Sequence, residues 1–272
     1  MSDLRGKNIL ITGGASGIGL KLAHRLIDLG ANHLLLWDIN REGLESVQNE
    51  LGRDRISIAA LDVRDYKRMQ EEMDHFISLH PEGIDILFNN AGVVVGKDFI
   101  EHEHDDIDFT LSINTNALMH LALIVLKQMT KRGGGHIVNI ASAAGMVSNP
   151  RMSVYCASKW AVIGWSDSLR LELERSHPHI KVTTVTPYYI DTGMFKGVSS
   201  PILPILKADR VVEKIIQAVH ENKVFLRMPL LVNFLPFIKG ILPFRVFDFI
   251  ADHILGIYDG MKSFTGRKES KK

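Results

Sequence analysis

Short runs of continuous apolar residues alternate along this chain with longer stretches in which apolar positions recur every three to four residues. The continuous runs predict strands at Asn8–Ile11, His33–Trp37, Ile56–Ala60, Ile84–Phe88, His136–Ile140 and Val182–Thr186. Helical spacing falls between them, over Ile18–Leu29, Glu42–Leu51, Tyr66–His80, Asp106–Lys131 and Ser153–Ser176. A further helix, Ala208–Glu221, leads to a last strand at Val224–Leu226. Strands that are apolar throughout are buried on both faces, and helices that cross between them imply a parallel sheet. The pattern therefore predicts one α/β domain: a doubly wound parallel sheet of about seven strands with helices on both faces.

The pattern changes after residue 227, so residues 1–227 read as the core and 228–272 as a hydrophobic C-terminal extension of a single domain. Six of the twelve phenylalanines lie between Phe225 and Phe249, interleaved with Pro229, Pro236 and Pro243. The longest uncharged run there, Met228–Ile238, is too short to span a bilayer. From Lys262 onward the sequence is basic and reads as solvated.

Composition narrows the function classes. With 32 basic and 31 acidic residues the net charge is +1, which argues against a dedicated nucleic-acid binder. A single cysteine cannot form an intramolecular disulfide and fits a reducing compartment. Charges at Asp3, Arg5 and Lys7 break any apolar leader. The uncharged stretches Phe109–Leu126 and Gly133–Pro150 carry too many polar residues, glycines or a proline for membrane spans, and read as buried parts of a soluble, cytoplasmic fold. None of the twelve histidines shows a metal-ligand spacing such as HExxH, so no metal is expected.

The strongest local signal is NILITGGASGIG, an apolar strand running into Gly13, Gly17 and Gly19 and then a helix. Glycines there let the backbone approach a pyrophosphate, and the helix N-terminus offers N–H groups and a favourable dipole, as in a Rossmann-type site. The spacing G-x-x-x-G-x-G departs from G-x-G-x-x-G, and a purely structural turn would also use it. Asp38 adds weight, because it ends the next strand 19 residues after Gly19, where a carboxylate can bond both ribose hydroxyls of an adenosine. The same charge repels a 2′-phosphate and so favours NAD over NADP, with Arg41 as a counterweight. Asp38 is also placed to cap the next helix. Asp62, after the third strand, has the same two options: the adenine amino group or a helix cap.

TGGASGIG, NNAG at Asn89–Gly92 and Tyr155-Cys-Ala-Ser-Lys159 occur in an order and at separations that closely resemble the short-chain dehydrogenase/reductase family, over roughly Gly6 to Leu226. The resemblance implies NAD contacts from Gly13, Ser16, Gly17, Ile18, Gly19, Asp38, Asp62, Val63, Asn90, Ala91, Gly92, Tyr155, Lys159, Pro187, Ile190 and Thr192. It also implies catalysis by Asn114, Ser142, Tyr155 and Lys159. The chemistry stands independently of that likeness. Tyr155 and Lys159 are four residues apart in a helical pattern and project from one face. A phenol titrates near ~10, and an adjacent ammonium favours the phenolate. Ser142, at a strand end 13 residues before Tyr155, matches the family's catalytic serine, and that resemblance implies a hydroxyl that holds the substrate oxygen; Ser148 and Ser153 are rivals by proximity. Asn114 matches the family's helix asparagine at a local kink, with Asn116 the nearby alternative. Tyr188 departs from the family pattern, replacing the usual glycine after Pro187.

Substrate recognition is expected from Ser142, Ala144, Met152, Tyr155, Tyr188 and Met194. The surrounding segments are mostly apolar, with no cluster of Arg or Lys for an anionic head group, which points to a lipophilic alcohol or ketone. PYYIDTGMF and the tail are similar to the retinol dehydrogenase/17-beta-hydroxysteroid dehydrogenase branch, whose members act on lipids, often at a membrane. The N-terminal apolar anchor of many such relatives is not seen here. The Phe-rich tail has three options: to cover the pocket, to form a subunit interface, or to make peripheral contact with a membrane. Likeness of the long helices to the family's interface implies a homodimer or homotetramer. An NADP-dependent carbonyl or 3-oxoacyl reductase and a non-catalytic dinucleotide sensor are the competing readings. Cys156 lies on a different helical face from Tyr155 and reads as packing.

Overall fold

The computed structural model describes residues 2–200 and 203–266. Among the described residues are nine strands: β1 (Asn8–Thr12), β2 (His33–Asp38), β3 (Ile56–Ala60), β4 (Ile86–Asn89), β5 (Gly135–Ile140), β6 (Ile180–Pro187), β7 (Ile190–Asp191), β8 (Leu206–Lys207) and β9 (Phe225–Met228). Seven of them form one all-parallel sheet in the order β3-β2-β1-β4-β5-β6-β9, while β7 and β8 make a separate short ribbon.

Why the strands are continuously apolar is visible in their packing. Ile9, Ile11, Leu34 and Leu36 face one layer, against α1 (Gly17–Asp28), α2 (Arg41–Leu51) and α7 (Ala208–His220). Their neighbours Leu10, Leu35 and Trp37 face the other, against α3 (Tyr66–Leu79), α5 (Leu118–Arg132) and α6 (Ser153–Ser176). Strand alternation thus sends successive side chains into two separate cores, and neither face meets water. The helices carry the matching stripes: Met69, Met73 and Phe76 in α3, and Val211, Val212, Ile215, Ile216 and Val219 in α7, are all buried.

The helix expected over Asp106–Lys131 is not a uniform α-helix. It runs as α4 (His104–Leu111), a π-helical turn over Ser112–Ala117, and then α5. By length and composition the combined segment could cross a membrane, yet Leu121, Ala122, Val125 and Met129 are buried against the sheet. After β9 the extension folds into α8 (Leu235–Ile241) and α9 (Phe244–Phe249). Its inward residues Val232, Leu235, Phe247, Ala251 and Ile257 pack on Ala143, Met146 and Val147. Phe234, Phe237, Ile241, Phe244 and Phe249 point outward and are exposed. Of the three options for the tail, covering is the one this packing displays.

Strand order reverses between β1 and β4, so the carboxyl ends of these strands flank a crevice. Such a switch point is where open α/β sheets bind ligands.

Candidate active site

The glycine-rich turn is built from the end of β1 outward. Thr12 Oγ1 accepts hydrogen bonds from the Asn90 and Ala91 amides, both at 3.0 Å, and Asn90 Nδ2 donates to the Thr12 carbonyl at 2.8 Å. These bonds lock the turn to the end of β4. Gly13 has φ +68° and Gly17 φ +57°, the left-handed region that favours glycine. A Cβ on Gly19 would lie 2.1 Å from the Gly13 carbonyl oxygen, so only glycine lets α1 start so close to β1. This is a cradle of backbone at a helix N-terminus, and it fits a dinucleotide pyrophosphate.

Asp38 does not cap α2; Asn40 does, accepting from the Gly43 amide at 3.1 Å. Instead Asp38 accepts from the Ala15 amide at 3.0 Å and the Asn40 amide at 2.9 Å, so its carboxylate fastens the glycine-rich turn to β2. A carboxylate has about four acceptor sites, which leaves capacity for ribose hydroxyls. Arg41, the suggested counterweight, is paired with Glu45 at 2.8 Å. Asp62 is likewise no cap, since Asp65 takes that role in α3. The Arg64 guanidinium grips Asp62 and holds its carboxyl below the usual carboxylate range. Val63 and Ala91 line a hollow of about 210 Å³ beside the crevice, together with Thr12, Asn89 and residues of the π-turn and α5.

Tyr155 and Lys159 come from the first turns of α6 and are both buried. Lys159 Nζ donates to the Ile140 carbonyl at 3.0 Å and stands 5.8 Å from the Tyr155 ring centroid. Ser142 follows β5, accepts from the Ala144 amide at 3.1 Å, and is the polar side chain that acts on the Tyr155 phenol. Burial pushes the Tyr155 phenol well above its ordinary value, and the Ser142 side chain offsets only part of that. The sequence argument anticipated a lowered value from the neighbouring ammonium; desolvation is the larger effect in this state. Burial alone pulls the Lys159 ammonium down to about 8.

Asn114 and Asn116 stand in different surroundings. Asn116 is exposed, while Asn114 is buried and donates to the Val93 carbonyl at 2.9 Å and Ser158 Oγ at 3.1 Å. Its Oδ1 accepts from the Val93 amide at 2.8 Å. This clamp sits within the π-turn, the kind of helix defect that often marks a working site. Gly92 is close by: a Cβ there would lie 3.2 Å from Asn114 Oδ1 and 3.7 Å from Lys159 Nζ.

In front of Ser142 opens an apolar cleft of about 500 Å³. Of the expected substrate residues, Ser142, Ala144, Met152 and Tyr188 line it. Met194 is half-buried and lies outside the lining, where its neighbour Phe195 takes part, and Tyr155 stands behind with its ring 6.0 Å from that of Phe195. Tyr188, at the usual glycine position, is absent from the positive-φ residues, so a side chain fits there without strain. Its amide donates to the Met228 carbonyl at 2.8 Å, continuing the pairing of β6 with β9. Pro187 ends β6, Ile190 lies in β7, and the Thr192 amide donates back to the Ile190 carbonyl at 2.9 Å.

Residues 7–202 match the family model described as short chain dehydrogenase. The chain belongs to that family. Epidermal retinol dehydrogenase 2 of Mus musculus is 34% identical over 274 residues, covering 98% of this chain and 88% of that protein. Estradiol 17-beta-dehydrogenase 11 of Homo sapiens is 32% identical over 247 residues, 89% of this chain and 81% of that protein. In structure, a short-chain dehydrogenase/reductase from Burkholderia phymatum in complex with NAD superposes with a TM-score of 0.79 at 23% identity, covering 91% and 96% of the two chains. A Burkholderia cenocepacia J2315 short-chain dehydrogenase in complex with NADP gives 0.77 at 22% identity, covering 91% and 98%. These two likenesses bear on the fold alone.

Sequence reasoning missed several residues that this short-chain dehydrogenase uses to hold its site. Thr12 carries no motif of its own; its place at the strand end before Gly13 was the available signal. Ser158 accepts from Asn114 and donates to the Tyr155 carbonyl at 2.7 Å. Leu235 and Ile257 of the extension enter the cleft wall from about a hundred residues beyond Ser142, a contact no local pattern announces.

The Lys159 environment makes a testable statement about stability. Its ammonium titrates at about 8 when buried, against 10.5 for a free lysine, so the unfolded chain holds this proton more tightly than the folded one. The charged side chain therefore costs stability below the folded value, and the cost fades as pH rises toward 10.5. Lys159→Met should raise Tm at neutral pH, with the gap over wild type closing in alkali. Thermal scans across pH check this; a variant less stable than wild type at neutral pH would overturn it.

Proposed function

We propose that this short-chain dehydrogenase is an NAD(H)-dependent oxidoreductase that interconverts a hydroxyl and a carbonyl on a lipophilic substrate of the retinoid, steroid or long-chain alcohol type. The observation that carries this reading is the meeting of Ser142 and the buried Tyr155–Lys159 pair with an apolar cleft. The names of the retinol and estradiol dehydrogenases among its relatives support the same substrate class. Asp38 at the ribose end, with Arg41 engaged by Glu45, supports NAD over NADP.

A nicotinamide dinucleotide held by the glycine-rich turn and Asp38 would supply the hydride acceptor and donor for the substrate carbon. In the oxidative direction Tyr155, as phenolate, takes the proton of the substrate hydroxyl; in the reductive direction it returns that proton to the carbonyl oxygen. Ser142 has a hydroxyl hydrogen to donate to the substrate oxygen, because its own oxygen already accepts from the Ala144 amide. Lys159 places a positive charge behind the phenol in a dry site, where that charge counts for more than it would in water. Asn114 acts by shape, since both ends of its amide are spent on holding the π-turn against Val93 and Ser158.

The test follows the absorbance of reduced nicotinamide with purified protein, NAD⁺ or NADP⁺, and a panel of retinol, hydroxysteroids and long-chain alcohols. NAD⁺-dependent turnover of one lipophilic class is the expected result. Preference for NADP⁺ would overturn the cofactor assignment, and NADH binding with no turnover across the panel would favour a sensing role.

A further inference from the structure

The cleft wall is apolar except at a few points, and one of these is incomplete. Asn149 lines the cleft and is only 9% exposed. Its Nδ2 donates to the Tyr189 hydroxyl at 2.9 Å, and Tyr189 is itself buried. The Asn149 Oδ1 is shielded from solvent and has no hydrogen-bond partner among the described residues. Of the other side chains that line the cleft, Ala144, Val147, Met152, Leu235 and Ile257 carry no donor. A buried carbonyl left unpaired is a cost that natural proteins rarely carry without a use.

Either orientation of the amide leaves one polar end without a partner in this wall, and a hydroxyl, which both donates and accepts, satisfies each. Burial keeps the Tyr189 phenol protonated, so the pair is neutral and suited to a neutral partner. Phe195 stands between this pair and the reacting end. Its ring centroid is 6.0 Å from that of Tyr155 and 5.0 Å from that of Tyr189. A substrate oxygen at Ser142 and a second oxygen at Asn149 would therefore sit on one apolar skeleton within one cleft.

We propose that Asn149, held by Tyr189, is a specificity-determining residue that receives a second hydroxyl of the substrate, so that lipophilic diols are preferred over mono-alcohols of the same skeleton. This rests on the cleft being the substrate site. The discrimination is strong because an analogue lacking the hydroxyl leaves the amide unpaired.

Calorimetric titration in the presence of NADH compares octanol with octanediols whose second hydroxyl is moved stepwise along the chain. One or more diols should bind about tenfold tighter than octanol. Asn149→Leu should erase that preference while octanol binds as well or better. Tyr189→Phe, which keeps the ring but frees the amide, should weaken the preference and serves where the first variant fails to fold. Equal binding of octanol and every diol to wild type, or a preference that survives Asn149→Leu, overturns the proposal. Turnover of the same probes is read separately. Diol preference without turnover would remove the proposed oxidoreductase reading and keep the Asn149 assignment; turnover without diol preference would do the reverse.

Discussion

Replacing Tyr155 by phenylalanine should lower kcat for alcohol oxidation by about 10³-fold, with NADH binding and Tm close to wild type. The substitution removes one hydroxyl and keeps the ring that packs against Phe195. What is lost is the phenol hydroxyl that carries the substrate proton in the proposed reaction. Stability is spared because the substitution keeps the buried ring and removes only its hydroxyl. Steady-state rates with the best substrate of the panel, alongside thermal scans, check both halves. A variant that keeps a tenth of the wild-type rate would show that another group, or water, takes the proton.

Gly19→Ala should be damaging for a different reason. The added methyl would meet the Gly13 carbonyl at 2.1 Å and Asn90 Nδ2 at 2.8 Å, and the first of these is backbone. The start of α1 must then move away from β1, which opens the cradle and strains the bonds by which Asn90 holds the turn. NADH affinity should fall by about 100-fold, and stability by about 1–3 kcal/mol. Gly164→Ala in α6 is the control: nothing lies within 4 Å of its added Cβ, and helix propensity makes it neutral or stabilising by up to about 1 kcal/mol. Fluorescence titration with NADH and chemical denaturation separate the two variants. Equal affinities would mean that the dinucleotide is bound elsewhere.

What each line of reasoning could reach follows from the range of the forces involved. Period and composition are local properties, and they were enough to place the seven strands of the sheet within a few residues, because strands buried on both faces are apolar at most positions. They also located the glycines of the phosphate turn and the Tyr155–Lys159 spacing, since a left-handed φ and a shared helix face are set by neighbours in the chain. Caps were less legible. Asp38 and Asp62 each precede a helix, yet Asn40 and Asp65 cap those helices, and only the fold brings Asp38 against Ala15 and Arg64 onto Asp62.

Local pattern was enough for the parallel α/β core, the glycine-rich turn and the Tyr155–Lys159 spacing. Tertiary structure alone decided how those side chains are charged and what faces them. Desolvation depends on everything that surrounds a group, so the high phenol of Tyr155 and the low ammonium of Lys159 could not be read from a four-residue spacing. The clamp of Asn114 to Val93, and the cleft wall that Leu235 and Ile257 share with Ser142, came from the fold. Each is a contact between residues far apart in the chain, and such contacts leave no period in the sequence that makes them.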